Sequence, residues 1–380
     1  MSDQELRQRR YIIAHTESSN GWGGQEIRIL TEMIAMRKRG HQLFLCAPMD
    51  SVIYRKAAAA DFAIHPLDDR KLRFPQAIGA AAQFFRQRKV EVVNTHSSRD
   101  GWIGGLAARV ARTPLLLRSR HVEVDYPRRF VSRFAFGGLP DHVLTTSERI
   151  SRRLIDELSL DAARVTCVPT GVDLQRFDPD LRGGLHDELG LSQDIQIVGM
   201  VSVLRTWKGY PHFLAAARDV ARARADVHFV IAGEGEGRKR IELFQKEFGL
   251  EKRLTLLGYR EDIPNVLASL SILVLPSTAH EGIPQIILQA QAMRKPVVAT
   301  SIGGIPEVVS EGEAGFLVPP GNSAALAEKI SVLLGDPLLR QQMGERARKR
   351  MERANSMDTM CAELERIYRL YLKPDRSVPT

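Results

Sequence analysis

Short apolar runs that read as buried strands alternate along this chain with amphipathic helical stretches, and the alternation occurs twice. YIIAH (11–15), QLFLCA (42–47), VEVVNTH (90–96) and PLLLRS (114–119) form the first series. After about residue 190 the pattern restarts with IQIVGMVSV, VHFVIAG, LTLLG, SILVLP and PVVAT. Between the runs lie helical patterns such as QEIRILTEMIAMRKRG, where Ile27, Leu30 and Ile34 mark an apolar stripe and Gly40 a C-terminal stop. Strands alternating with helices build parallel sheets covered by helices, so the expected class is α/β with two Rossmann-like domains. A chain of 380 residues is also too long for one ordinary core. The expected boundaries are an N-terminal domain at 1–178, a Gly-, Asp- and Pro-rich linker at 179–192, a C-terminal domain at 193–355, and a last segment at 356–380. The final helix, MDTMCAELERIYRLYL, has an apolar stripe and no strand after it, so it must dock on something already built.

Composition narrows the class of function. With 26% charged and 44% hydrophobic residues, the chain is neither collagen-like, coiled coil nor disordered. No apolar run reaches the roughly 18 residues of a membrane span, and MSDQELRQRR is a polar start without the apolar segment of a secretory signal. Cys46, Cys167 and Cys361 are odd in number and far apart, which excludes a disulfide framework and a cysteine-rich zinc site. A cytoplasmic protein is expected. The net charge of +9 is concentrated in residues 1–180, where 28 Lys+Arg face 21 Asp+Glu. A basic face attracts phosphorylated ligands, anionic lipid or nucleic acid.

Ligands of open parallel sheets sit beyond the carboxyl ends of the strands, so the loops after strands are where chemistry is expected. Three of them suit a phosphorylated ligand. TESSNGWGGQE follows the first strand and opens a helix; Gly21, Gly23 and Gly24 allow close backbone approach, but the spacing is neither G-x-G-x-x-G nor a P-loop. In VSVLRTWKGYPHFLAAA, Arg205 and Lys208 lie at the end of a strand and beside a helix start, a placement suited to a diphosphate. In PSTAHEGIPQIILQAQAM, Glu281 precedes a helix with Pro284 expected at its first position, and Gly282 and Ile283 present backbone donors at the positive end of the dipole. A carboxylate beside an anion site makes sense only when it accepts from neutral hydroxyls next to the phosphate, as in a sugar joined to a diphosphate. Gln285 and Gln289 share one helix face.

Together with VPTGVDLQRFDP, FVIAGEGEGRKRI, LGYREDIPNVLASLSILVLPS, KPVVATSIGGIPEVV and GFLVPPGN, in that family order, these segments resemble the family 4 glycosyltransferases, retaining enzymes of GT-B fold. The resemblance implies two sheets facing a cleft and a C-terminal helix that packs back on the N-terminal domain. It implies that Arg205 and Lys208 bind the donor diphosphate and stabilise the leaving nucleotide, and that Glu281 holds donor-sugar hydroxyls. Gly282, Ile283 and Pro284 would meet the sugar and phosphate, the main chain of Tyr259 and Arg260 the base, and Gly23 and Gly24 the diphosphate and acceptor. His121, in RSRHVEVD, is similar to the histidine that approaches the transferred sugar. One departure stands out: the second Glu of the family's E-x7-E element is Gln289 here, which still donates and accepts toward a ribose.

The implied reaction is retaining transfer of a sugar from a nucleotide-sugar to a glycan or lipid-linked acceptor in envelope polysaccharide assembly. The cationic groups take the role a metal fills elsewhere, so no metal or other cofactor is expected, and the one D-x-D, at Asp178 and Asp180, falls in the linker. Two segments, LRFPQAIGAAAQFFRQRK (72–89) and YPRRFVSRFAF (126–136), interleave aromatics with arginines and suit peripheral docking on an anionic membrane, on the inner face of the cytoplasmic membrane. Neither resembles a nucleic-acid reader, so no nucleic acid is expected. The alternatives are a GT-B nucleotide-sugar epimerase and a non-catalytic protein binding sugar-nucleotide or nucleic acid.

Overall fold

A computed structural model describes residues 9–123, 125 and 129–372. The chain divides into two units, 1–171 with 357–380, and 172–356.

The first unit holds a seven-stranded sheet made of β1 (Ile12–Thr16), β2 (Gln42–Ala47), β3 (Ala63–Pro66), β4 (Val92–Thr95), β5 (Leu115–Arg120), β6 (His142–Thr145) and β7 (Val165–Cys167). Their order is β3-β2-β1-β4-β5-β6-β7, and every pairing is parallel. The four strands expected here are present within a residue or two, and three more join them. AIHP, HVLT and VTC are too short to stand out by periodicity, and their places are decided by the sheet beside them. Alternate residues feed two cores: Ile13, Leu43, Leu45 and Leu117 face one side, while Ala14, Phe44, Cys46 and Leu116 face the other. This two-sided burial is why the strands read as unbroken apolar runs.

The final helix (Met357–Tyr371) belongs to this unit. Met360, Cys361, Leu364, Ile367 and Tyr368 pack with Tyr11, Ile13, Met33 and Met36, and the Tyr11 and Tyr368 rings meet edge-on at 5.4 Å. Arg39 and His41 both hydrogen-bond Glu365 on its polar side.

The second unit holds β8 (Gln196–Val201), β9 (Val227–Ala232), β10 (Leu254–Gly258), β11 (Ile272–Leu275), β12 (Val297–Thr300) and β13 (Gly315–Val318) in the order β10-β9-β8-β11-β12-β13, again parallel throughout. Its two cores lie on opposite faces, Val198, Met200, Phe229 and Val274 on one and Ile197, Val230, Leu273 and Leu275 on the other. Residues 179–192, read as linker from their composition, are built into this unit. Leu185 starts a short helix (Leu185–Leu189) and is fully buried, its backbone N–H and that of Gly184 donating to Ser269 and Asn265. Phe177 is buried in the same core, so two apolar anchors override a turn-forming composition.

Candidate functional site

In each sheet the strand order runs outward in both directions from the first strand. β2 and β3 lie on one side of β1 and β4–β7 on the other; β9 and β10 lie on one side of β8 and β11–β13 on the other. Loops leaving the carboxyl ends at such a reversal part from each other and leave room for a ligand. Gly23 and Gly24 lie at the first of these places and Arg205, Lys208 and Glu281 at the second, whereas His121 follows β5 and Tyr259 and Arg260 follow the edge strand β10.

In the second unit β8 runs through Arg205 into a single turn, Thr206–Lys208, and then the helix Tyr210–Ala223. Gly209 between them has φ 77°, and a Cβ there would lie 1.8 Å from the Pro276 carbonyl oxygen, so the β8 and β11 loops touch backbone to backbone. Thr278 N–H donates to the Trp207 carbonyl at 2.7 Å and fastens the same junction. Across it, Lys208 Nζ and Ser277 Oγ both donate to Glu281 Oε1 at 2.6 Å. Glu281 is buried, and Oε2 receives no hydrogen bond from the described residues. The β12 loop closes the arrangement: Gly303, with φ 56°, lies against the Glu281 carbonyl, and Gly304 N–H donates to Gly282 O at 3.1 Å. Three loops thus hold one carboxylate beside one ammonium. Lys208 keeps further N–H donors after serving Glu281.

Arg205 is exposed, with its guanidinium 5.1 Å from the Trp207 ring centre, and Trp207 in turn meets His280 edge-on at 5.7 Å. The helix after Glu281 starts at Gln285, so Pro284 caps it in extended backbone rather than taking the first helical position. The positive end of the dipole therefore lies one residue later than expected, with Gly282 and Ile283 in the loop before it. Gln289 is half-buried one turn along from Gln285. Tyr259 and Arg260 follow the end of β10. The Arg260 guanidinium is occupied by Glu188 and Asp262, all within 3.0 Å, and those hydrogen bonds hold the Asp262 carboxyl well below its usual range. What Arg260 can offer a ligand is its main chain.

In the first unit Gly23 and Gly24 open the helix Gly24–Lys38, with Gly23 N–H donating to Glu26 at 2.8 Å. A Cβ at Gly24 would meet nothing within 4 Å, so packing within the chain does not demand glycine there. Behind this loop lie two buried carboxylates that the sequence reading did not single out. Glu17 accepts from the N–H groups of Ser18 and Ser19, from Gln25 and from the Ser97 hydroxyl. Asp100 accepts from Thr16 Oγ1 at 2.7 Å and from the N–H groups of His96 and Ser97 at 2.9 and 2.8 Å. Burial, and then the charge of Asp100, pushes the Glu17 carboxyl up to about 7.

His121 follows β5, is buried, and is stacked on His96, which is stacked on His15. His15 and His96 also went unremarked in the sequence. The signal available was that three apolar runs, YIIAH, VVNTH and LLLRSRH, each end on a histidine.

Among the described residues no group of three or more His, Cys, Asp or Glu is placed to hold a metal ion. Asp178 accepts from the Asp180 N–H at 3.0 Å, and Asp180 pairs with Arg294 at 3.1 Å. No described helix is long and apolar enough to cross a membrane. The two aromatic–arginine segments differ. In the helix Phe74–Gln87, Phe85 is buried with Ala77, Ala81 and Ala82, and Arg88 lies over Phe44 and Phe84, so this face is core. In the second segment Tyr126, Pro127 and Arg128 lie outside the described residues. Phe136 is buried, but Phe130 and Phe134 are 86% and 47% exposed, and Val131 is exposed between them. Phe130, Phe134 and Phe136, with Gly137, Leu160 and Arg164, line a cavity of about 380 Å³.

Comparison with known proteins matches residues 184–350 to the model of the glycosyl transferases group 1 and residues 22–176 to that of glycosyltransferase family 4. The chain is 32% identical over 249 residues to the Escherichia coli UDP-Gal:alpha-D-GlcNAc-diphosphoundecaprenol alpha-1,3-galactosyltransferase; the match covers 62% of this chain and 64% of that protein. It is 30% identical over 286 residues to the 2-deoxystreptamine glucosyltransferase of Streptomyces kanamyceticus, covering 69% of this chain and 72% of the relative. The crystal structure of Anabaena Alr3699/HepE in complex with UDP and glucose superposes with a TM-score of 0.83 at 22% identity, covering 94% of this chain and 99% of that one.

Proposed function

The chain belongs to the family 4 glycosyltransferases, and from that premise we propose that it transfers a sugar, with retention of anomeric configuration, from a nucleoside-diphosphate-sugar to a glycan or lipid-linked glycan. The observation that carries the reading is the Lys208–Glu281–Ser277 cluster, held by three loops at the β8/β11 reversal with Arg205 beside it. A diphosphate brings negative charge and a sugar brings hydroxyls. A cation pair next to a carboxylate with one open oxygen answers both.

As the donor bond breaks, charge passes to the diphosphate while the anomeric carbon becomes cationic. Arg205, Lys208 and the amino end of the helix at Gln285 stabilise the departing charge. Glu281 Oε2 accepts from hydroxyls of the sugar, and Lys208 keeps that buried carboxylate neutralised meanwhile. Gly282, Ile283 and Pro284 line the sugar and phosphate, Gln289 meets the ribose, and the main chain at Tyr259 and Arg260 meets the base. The departing phosphate takes the acceptor proton on the same face, which accounts for retention without a nucleophile of the protein. In the same reading His121 is assigned to the transferred sugar and the Gly23–Gly24 loop to diphosphate and acceptor. None of these roles needs a metal.

A uridine donor and a diphosphate-linked lipid acceptor are the finer reading. They are supported by the Escherichia coli relative, whose name specifies UDP-Gal and a diphosphoundecaprenol-linked sugar, and by the Anabaena structure, which holds UDP and glucose. The exposed Phe130, Val131 and Phe134 beside Arg133 support work on the inner membrane surface, in assembly of an envelope polysaccharide.

Release of nucleoside diphosphate from a panel of UDP-, GDP- and ADP-sugars tests the donor. Arg205→Ala and Glu281→Gln are each expected to lower turnover by about 10²–10³-fold. Wild-type rates in Glu281→Gln would remove the sugar-clamp assignment.

A further inference from the structure

Three neighbouring strands carry a histidine at or just past their carboxyl ends. His15 is in β1, His96 follows β4 and His121 follows β5, and these strands are adjacent in the sheet. Strands lie roughly 4.8 Å apart, and the ring centres accordingly stack at 5.2 and 5.1 Å with interplanar angles of 13° and 27°. His15 Nδ1 is 2.9 Å from His96 Nε2, and His96 Nδ1 is 2.9 Å from His121 Nε2. Burial above all holds the imidazoles neutral; Arg28 adds to this at His15, the two flanking histidines at His96, and Arg28, Arg120 and Arg118 at His121.

A neutral imidazole has a single N–H, so a row of three is polarised in one direction or the other. Its buried end decides which. His15 Nε2 faces Glu32 Oε1 at 3.8 Å, an electrostatic approach longer than a hydrogen bond, and neither atom has a hydrogen-bond partner. The second Glu32 oxygen faces Arg28 Nε at 3.6 Å, and Arg28 also donates to Thr170. Burial raises the Glu32 carboxyl and Arg28 opposes that shift; the guanidinium, the more basic partner by far, keeps the pair ionic. Facing a carboxylate, His15 carries its proton on Nε2. Its Nδ1 then accepts from His96 Nε2–H, and His96 Nδ1 accepts from His121 Nε2–H. His121 Nδ1, which has no hydrogen-bond partner among the described residues, is left as a lone pair.

We infer that Glu32, acting through the stacked rings of His15 and His96, fixes the tautomer of His121 so that Nδ1 accepts a hydrogen bond from a sugar hydroxyl. The inference rests on the reading of His121 as the group that approaches the transferred sugar. Glu32, His15 and His96 are positioning residues and touch no ligand themselves. A protonated Glu32 would instead donate to His15 Nε2, reverse the row and present an N–H at His121.

Nitrogen-15 labelling of the histidines in the full-length, ligand-free protein separates the two. The expected result is His121 protonated on Nε2; a proton on Nδ1 overturns the inference. In Glu32→Gln, which removes the anion and keeps an acceptor for Arg28, His121 is expected to populate both tautomers, and kcat to fall about tenfold, the worth of one hydrogen bond, with KM for the nucleotide-sugar unchanged. An unchanged tautomer with unchanged kcat overturns it. His96→Gln breaks the row in the middle and carries the same readings should Glu32→Gln fail to fold. Nε2–H at His121 in a protein that turns over no nucleotide-sugar sinks the transfer reading and keeps the tautomer assignment; turnover with Nδ1–H does the reverse.

Discussion

At the scale of single residues the most telling feature is a carboxylate whose ionisation the fold resists. Glu17 is fully buried behind the Gly23–Gly24 loop, and Asp100 shares its surroundings through Ser18 and Ser97, each of which hydrogen-bonds both carboxylates. Its pKa is raised from an ordinary 4.5 to about 7. The folded chain therefore holds a proton that the unfolded chain has released between those values. That stabilisation is complete below about 4.5 and is lost as pH rises through about 7. Glu17→Gln removes the titration and keeps an acceptor for the Ser18 and Ser19 N–H groups. Thermal melts at a series of pH values are expected to show the variant gaining on the wild type between pH 5 and 8, by up to about 3 kcal/mol. A constant difference across that range would show that Glu17 does not titrate there.

At the scale of elements, the site depends on loops that touch through their backbones. The turn between β8 and the helix Tyr210–Ala223 passes so close to the β11 loop that only glycine fits at 209, for reasons of both φ and space. Gly209→Ala must move Pro276, and with it Ser277 and Glu281, one and five residues further along the chain. We expect a loss of roughly 1–3 kcal/mol in chemical denaturation, together with weaker binding of nucleotide-sugar by calorimetry. Stability and affinity fall together because one junction serves both. The exposed Arg205, standing on Trp207, is outside this junction, and its removal is expected to leave the melting temperature unchanged. Of these parts Arg205, Lys208 and Glu281 were legible in the sequence, because each lies in a stretch of chain whose local pattern places it after a strand. That Lys208 and Glu281 share an ion pair was not, since 73 residues separate them.

At the scale of the whole molecule, the last helix completes the first unit's core from the far end of the chain. Its apolar stripe covers Tyr11, Met33 and Met36, and Glu365 fastens its polar edge to Arg39 and His41. Burial works against ionisation of Glu365, but the hydrogen bonds from His41 and Arg39 outweigh it and hold the carboxyl down at about 2. This contribution is present above about 4.5 and is lost as pH falls toward 2. Deleting residues from Met357 onward strips six buried apolar side chains, Met360, Cys361, Leu364, Ile367, Tyr368 and Leu372, from that core, the larger ones each worth roughly 1.5–3 kcal/mol. The truncated chain is expected to lose the melting transition of the first unit and to bind the apolar dye ANS, while the second unit's transition persists.

What the amino-acid order determined by itself is local. Periods of apolar residues announced two series of parallel strands, and turn residues with nearby charges marked the loops that follow them, because both depend only on neighbours a few positions apart. Tertiary structure alone decided which strand ends lie side by side. His15, His96 and His121 become one row, and Glu17 meets Asp100, only because β1, β4 and β5 are neighbours in the sheet. Residues 179–192 likewise look like linker until a core exists in which Leu185 can be buried. A side chain's proton and its partners are set by what surrounds it in space, and that is fixed by pairings between segments as much as 84 residues apart, whose energy no short window of sequence contains.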